Sequence, residues 1–221
     1  MNVGILVAMD KEYHLIRSLL KNVKPYDFGT RKKACCCGKV GENTVFLAKC
    51  GIGKVNAAIT TTEFLNSCSL DAIISTGVAG SLGKLTTGDV LASTSCQYWD
   101  VWCGEPNTKG QVQGLPVAYP SSADLFKKAY LVDGVKPGII VSGDRFITSE
   151  DEKSDIRCNF PDADAVDMES AAIAQACYLY NTNFISIRAI SDGCDGKEYD
   201  KYWETLAKEN FNVISKILKK L

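Results

Sequence analysis

One stretch, Phe184 to Gly193, restricts the folds open to this chain more than any other. It reads Phe-Ile-Ser-Ile-Arg-Ala-Ile-Ser-Asp-Gly, a nearly continuous apolar run interrupted by one arginine. Such a run suits a strand covered on both faces, as in a parallel sheet flanked by helices. Side chains alternate across a strand, so Ser186, Arg188, Ile190 and Asp192 share one face. Asp192 then stands at the carboxyl end, beyond which open α/β sheets bind their ligands. A buried Arg188–Asp192 ion pair held for structure and a functional site are both open readings of this pattern.

The rest of the chain alternates in the same way. Asn2 to Met9 reads as a buried strand, followed by a helix over Asp10 to Asn22 with Leu15, Ile16, Leu19 and Leu20 as its apolar stripe. Lys32 to Val40 and Thr44 to Cys50 read as a hairpin turning at Gly41-Glu42-Asn43. Gly51-Ile52-Gly53-Lys54 opens a helix reaching Cys68; it lacks phosphate-loop spacing and reads as a tight turn permitting close helix packing. Asp71 to Thr76 is a buried strand ending in Gly77-Val78-Ala79-Gly80-Ser81, small residues that let a ligand approach the backbone.

Asp89 to Asp100 is a longer strand. It leads into an aromatic, Gly- and Pro-containing loop from Trp99 to Pro120, a length usually reserved for function or an interface. A helix over Ser122 to Val132 and a strand over Lys136 to Ser142 follow, and Ser149 with Glu152 forms a capping box for the next helix. Ala163 to Val166 leads into a helix from Asp167 to Tyr180, and an amphipathic helix over Lys201 to Leu221 closes the chain. These expectations describe one α/β domain spanning 1–221, with a mixed, mostly parallel central sheet flanked by helices.

Charge and cysteine content narrow the function classes. The 25 Lys and Arg against 26 Asp and Glu leave no electrostatic footprint for nucleic acid or an anionic membrane. No stretch reaches the ~18 apolar residues of a membrane span, and the N-terminal apolar residues are too few for a signal-peptide core. A cytoplasmic protein acting on a small molecule is the expectation. The ten cysteines show no paired metal-site spacing and read as reduced, mostly buried thiols. The single histidine, His14, falls on the polar face of the first helix, so any acid–base chemistry rests on carboxylates. Glu12 precedes the apolar stripe by three and four residues and points along the buried side of its helix. It is a candidate base with a raised pKa or, equally, a first-turn glutamate favoured by the helix dipole. Asp167 and Glu169 at a helix start carry the same ambiguity.

Six segments, taken in order, carry a resemblance over nearly the whole chain: Ala8-Met9-Asp10-Lys11-Glu12, Gly51-Ile52-Gly53-Lys54, Thr76-Gly77-Val78-Ala79-Gly80, Ser142-Gly143-Asp144-Arg145-Phe146-Ile147, Val166-Asp167-Met168-Glu169 and Arg188-Ala189-Ile190-Ser191-Asp192. The set resembles the 5'-methylthioadenosine/S-adenosylhomocysteine nucleosidases of the purine nucleoside phosphorylase superfamily. That resemblance implies hydrolysis of the bond joining adenine to a 5'-thio-substituted ribose, in a homodimer without metal or redox cofactor. It implies Glu12 as the base that activates water, Asp192 as the acid that protonates adenine at N7, and Glu169 as the grip on the ribose hydroxyls. Met168 would pack on the sugar, Arg188 would orient the water, Phe146 would stack on adenine and the Ile147 backbone would read its edge, with Val78 and Ser191 also in the substrate site. The loop near Trp102 to Pro116 would help close a neighbouring subunit's pocket.

The chain departs from the family pattern at Val7, Val78, Asp167 and Gln113, of which Val78 removes a hydroxyl near the water. The alternatives are a phosphorylase of the same fold, or a nucleoside-binding protein without turnover.

Overall fold

A computed structural model describes residues 1–28, 34–191 and 210–221. Three parallel strands form its centre: β1 (Asn2–Val7), β5 (Ala72–Ser81) and β10 (Asn183–Ser191), with β1 and β10 on opposite sides of β5. The alternation that defines a strand sorts their side chains onto two faces. Val3, Ile5, Val7, Ala72, Ile74, Ile185 and Ile187 enter one core, while Leu6, Ile73, Phe184 and Ile190 enter the other.

Outward from β1 the sheet continues through β4 (Asn43–Lys49), β3 (Cys35–Val40) and β2 (Lys21–Pro25). On the other side β10 pairs with β6 (Val90–Tyr98), then come β8 (Val135–Ser142) and β9 (Ala165–Asp167), and β9 pairs back onto β5. Strands β5, β10, β6, β8 and β9 thus close a ring, and the two-residue β7 (Tyr119–Pro120) adds to β6. The sheet is mixed, and its two longest ladders are parallel, with nine residue pairs in β5–β10 and eight in β6–β8.

Helices cover both faces: α1 (Asp10–Arg17), α2 (Lys54–Ser67), α3 (Ala123–Tyr130), α4 (Glu150–Asn159), α5 (Ser170–Leu179) and α6 (210–220). The Ala-rich α5 is buried nearly all round, lying against α2 and the ring strands, so its N-terminus is delivered to the carboxyl end of the sheet. This is the mixed α/β architecture expected from the alternation of elements.

Several boundaries differ from the sequence expectation. The first helix stops at Arg17, where the Ser18 N–H turns onto the carbonyls of His14 and Leu15; Leu19 and Leu20 follow it, and β2 occupies Lys21–Pro25. That edge strand is largely exposed, with Val23 its one side chain packed against the core, so it is too short and too polar to show the period that reveals a strand. The strand expected to end at Thr76 runs on through Gly77 to Ser81, because that segment keeps pairing with β10 and β9. The hairpin is as expected, with Val40 opposite Asn43 and Gly41 at positive φ. The Ser149–Glu152 capping box also forms. His14 is exposed, and of the nine described cysteines, all free, five are buried. Asp192, Gly193 and Cys194, the start of the expected hairpin strand at Lys32 and Lys33, and the 201–209 part of the last helix lie outside the described residues.

Candidate active site

The site begins where β1 hands over to α1. Glu12 is the third residue of that helix, and its Oε2 accepts the N–H groups of Ala8 and Met9, both at 2.9 Å. The carboxylate therefore serves the helix start, yet only 6% of the residue is exposed. Gly77 on β5 faces it so closely that a Cβ there would lie 2.6 Å from Oε1. Burial pushes the Glu12 pKa up, against the Met9 amide and the Arg188 charge, which favour the ionised form. Glu12 thus satisfies the helix terminus and is at the same time a desolvated carboxylate.

Arg188 projects from the middle of β10 and is 2% exposed. Its counterion among the described residues is Asp167, whose Oδ2 accepts from Nε at 2.9 Å and lies 2.9 Å from the second guanidinium nitrogen. That second nitrogen also donates to Ser75 Oγ at 2.9 Å. The expected Arg188–Asp192 pair falls partly outside the described residues. The arginine is nevertheless already paired, through Asp167, which the sequence marked as a helix-start carboxylate and a departure from the family pattern but not as its partner.

Asp167 is saturated with donors. Ser142 Oγ reaches Oδ1 at 2.5 Å, the Ser170 hydroxyl donates to Oδ2, and the N–H groups of Glu169 and Ser170 close in at 3.2 to 3.3 Å. Burial alone would discharge Arg188, but Asp167, Glu169 and Glu12 together raise its pKa and hold it cationic.

Glu169 is 8% exposed, and its Oε1 accepts the Gly53 N–H at 2.9 Å. Burial pushes its pKa up to about 7, the neighbouring Asp167 charge adds to the rise, and Arg188 opposes it. The Gly51-Ile52-Gly53-Lys54 turn is thus more than a packing device: at its start α2 gives an amide to a site carboxylate. Gly53 has φ 93°, and a Cβ would sit 2.9 Å from Asp144 Oδ1, so only glycine fits.

These groups border a cleft of about 250 Å³ formed at the carboxyl ends of β1, β5, β8, β9 and β10. Among the residues singled out from the sequence, Glu12, Val78, Phe146, Ile147, Met168, Glu169 and Ser191 line it. Ala8, Met9, Ile52, Ala79, Gly80, Arg145, Val166 and Asp167 complete the wall; all eight lie in the segments that carry the family resemblance, Ala79 and Gly80 belong to the small-residue strand end expected to admit a ligand, and the other six were given no substrate role of their own.

Phe146, 57% exposed, presents its ring at the cleft. Arg188 does not reach the main cleft. It lines a second cavity of about 10 Å³ shared with Glu12, Val78, Glu169, Ser75 and Cys50, the scale of one water-sized site. No described residue of the 101–118 loop lines the cleft of its own chain, although Trp102 in that loop is well exposed. Among the described residues no cluster of three His, Cys, Asp or Glu side chains could hold a metal ion.

Chemically, the arrangement offers two desolvated glutamates, a buried cation between them and their neighbour Asp167, and an aromatic face at the mouth. That set is suited to a neutral ligand with hydroxyls and a flat ring.

Comparison with known proteins supports one family throughout. The Phosphorylase superfamily model matches residues 2–220. The 5'-methylthioadenosine/S-adenosylhomocysteine nucleosidase of Staphylococcus carnosus (strain TM300) is 37% identical over 230 residues, covering 99% of this chain and 100% of that protein. The crystal structure of the corresponding nucleosidase from Neisseria meningitidis, in complex with methylthio-immucillin-A, superposes with a TM-score of 0.93 at 37% identity, covering 100% of this chain and 99% of that one. The Colwellia psychrerythraea enzyme in complex with adenine gives a TM-score of 0.92 at 32% identity, covering 100% and 96%. Matched over its full length in both sequence and architecture, this chain belongs to the 5'-methylthioadenosine/S-adenosylhomocysteine nucleosidase family of the phosphorylase superfamily.

Proposed function

We propose that this protein hydrolyses the N-glycosidic bond of 5'-methylthioadenosine and S-adenosylhomocysteine, and also of 5'-deoxyadenosine, releasing adenine and the corresponding sugar. The observation that carries this reading is the pair of desolvated glutamates, Glu12 and Glu169, in one cleft with Arg188 behind them.

Each residue has a role in that reaction. Phe146 stacks on the purine while the Ile147 backbone reads its edge, Met168 packs on the sugar, and Glu169 accepts hydrogen bonds from the ribose hydroxyls. Val78 and Ser191 complete the wall. As the C1'–N9 bond breaks, its electron pair moves into adenine, which takes a proton at N7. Asp192 is the proposed donor; it follows Ser191 directly and lies outside the described residues. The sugar becomes cation-like and is attacked by water, whose proton goes to Glu12, with Arg188 helping to orient the water. Paired carboxylates in unlike environments are the general solution to glycoside cleavage, and each acid or base contributes about 10² to 10⁴ in rate.

Water is favoured over phosphate by one feature of the α1 terminus. Free amides at a helix start are a ready anion site, but here the Ala8 and Met9 amides are occupied by the carboxylate of Glu12. A phosphate dianion would meet that negative charge first. Arg145, the other cation at the cleft, is 2.5 Å from Glu152. Adenine release from methylthioadenosine should therefore proceed without phosphate, and Asp192→Asn should nearly abolish it. A sugar 1-phosphate as the main product would replace the hydrolase by a phosphorylase, and ligand binding without any adenine release would leave a nucleoside-binding protein.

The exposed Ile52, Val55 and Trp102 are fitting contacts for a second copy, and we place the protein as a homodimer in the cytoplasm. No helix among the described residues is long and apolar enough to cross a membrane. Light scattering should return twice the 24.0 kDa chain mass.

A further inference from the structure

Three segments far apart in sequence meet beside the cleft without lining it. Lys54 Nζ donates to both carboxylate oxygens of Asp100, at 2.7 Å each. Asp100 Oδ2 also accepts the Asp144 N–H at 2.9 Å, and Asp144 Oδ1 accepts the Lys54 N–H at 2.7 Å. The three residues close a ring whose corners include two backbone amides. The adjacent Gly53 amide is the one held by Glu169.

The ring is seated on the body of the protein. Lys54 Nζ lies 5.4 Å from the centre of the Tyr98 ring, and the Tyr98 hydroxyl donates to Gln175 of α5 at 2.7 Å. A Cβ on Gly143 would come within 2.5 Å of the Trp99 indole, so the residues flanking Asp144 and Asp100 touch directly.

The side chains of Lys54 and Asp100 are 22% and 21% exposed, and an ion pair in that setting contributes little to stability. Its geometric consequence is larger. On one side the ring holds the Gly53–Lys54 peptide, next to the one that presents the Gly53 N–H to Glu169. On the other it fixes the turn after β8, whose Arg145, Phe146 and Ile147 form a wall of the cleft. We propose that Lys54, Asp100 and Asp144 are positioning residues that set the spacing between the Glu169 grip and the Phe146 wall, so that sugar and base of one nucleoside are held at once. This rests on the function proposed above, since it assigns the two ends of the cleft to the two ends of that substrate.

Lys54→Met keeps the length of the stem and removes the ammonium. Steady-state adenine release from methylthioadenosine should show kcat/KM lowered about tenfold, mostly through KM, with Tm little changed; misplacements of this kind cost up to about 10². Lys54→Arg should recover most of the loss. In a Glu169→Gln background, where the grip is already weakened, the Lys54→Met loss should shrink to about twofold. Wild-type kinetics in Lys54→Met, or an equal loss in both backgrounds, would overturn the positioning role. If Lys54→Met fails to fold, Asp100→Asn, which keeps an acceptor for the Asp144 amide, is read in the same way. Absence of adenine release by the wild-type protein would instead overturn the function itself.

Discussion

Asp167 and Glu169 stand two residues apart at the start of α5, carry the same charge and are both buried, yet their surroundings differ. Asp167 collects two serine hydroxyls, two amides and a guanidinium. Glu169 is held by the Gly53 amide and otherwise faces the cleft, where burial and the Asp167 charge push its pKa up. Glu12, across the site, resembles Glu169: two amides satisfy one oxygen while burial disfavours the charge. The contrast separates a counterion from the two carboxylates proposed to act on substrate. A carboxylate that collects donors and a guanidinium is held in place as the partner of Arg188, whereas one with few donors in a desolvated cleft retains affinity for a proton and for ligand hydroxyls.

The largest effect should come from Glu12→Gln. Turnover is expected to fall by about 10² to 10⁴ with Tm unchanged or slightly raised, because a desolvated charge is removed while an oxygen remains for the two amides. Parallel loss of activity and stability would place Glu12 with Asp167 rather than with Glu169. Asp167→Asn should behave in the opposite way. Leaving a buried guanidinium without its counterion costs about 3–5 kcal/mol, so the urea midpoint should drop sharply along with activity. A stable but inactive variant would break the division drawn here.

Gly77→Ala should be intermediate. Its Cβ would enter the space of the Glu12 carboxylate, 2.6 Å from Oε1, and a displaced base should lower kcat by about tenfold or more while leaving adenine binding at the Phe146 end intact. Equal losses in both measurements would show that the two ends of the cleft are not separable.

The smallest effect is in pH. Glu169 has an ordinary pKa of 4.5 when unfolded and about 7 when folded, so between those values the folded chain keeps a proton that the unfolded chain has released. Its contribution to stability is therefore lost as pH rises from about 4.5 to about 7, and levels off above that. Chemical denaturation of wild type and Glu169→Gln across this window should give a stability difference that moves in favour of the variant as pH rises. A constant difference would mean that Glu169 binds its proton equally in the folded and unfolded chain.

Much of this was legible in the chain. Arg188 in an apolar strand announced a buried charge, and the apolar residues after Glu12 put that carboxylate on the inner side of its helix. The small residues after Thr76 pointed to a close approach, which proves to be that of Glu12 itself to Gly77. The short strand β2 was invisible because only Val23 turns to the core and a single apolar residue records no period. The role of the Gly53 turn was also hidden, since its amide meets Glu169 across 116 residues.

Local pattern and residue chemistry by themselves determined that this chain builds buried strands alternating with helices, and that carboxylates must do its acid–base work. Both follow from the periodicity of side chains along a backbone and from the near absence of histidine. Which carboxylate neutralises Arg188, which is left with a raised pKa, and which amides reach them were decided only when β5, β9 and β10 came together. Hydrogen bonding and desolvation depend on distances of a few ångströms between segments that sequence order keeps far apart.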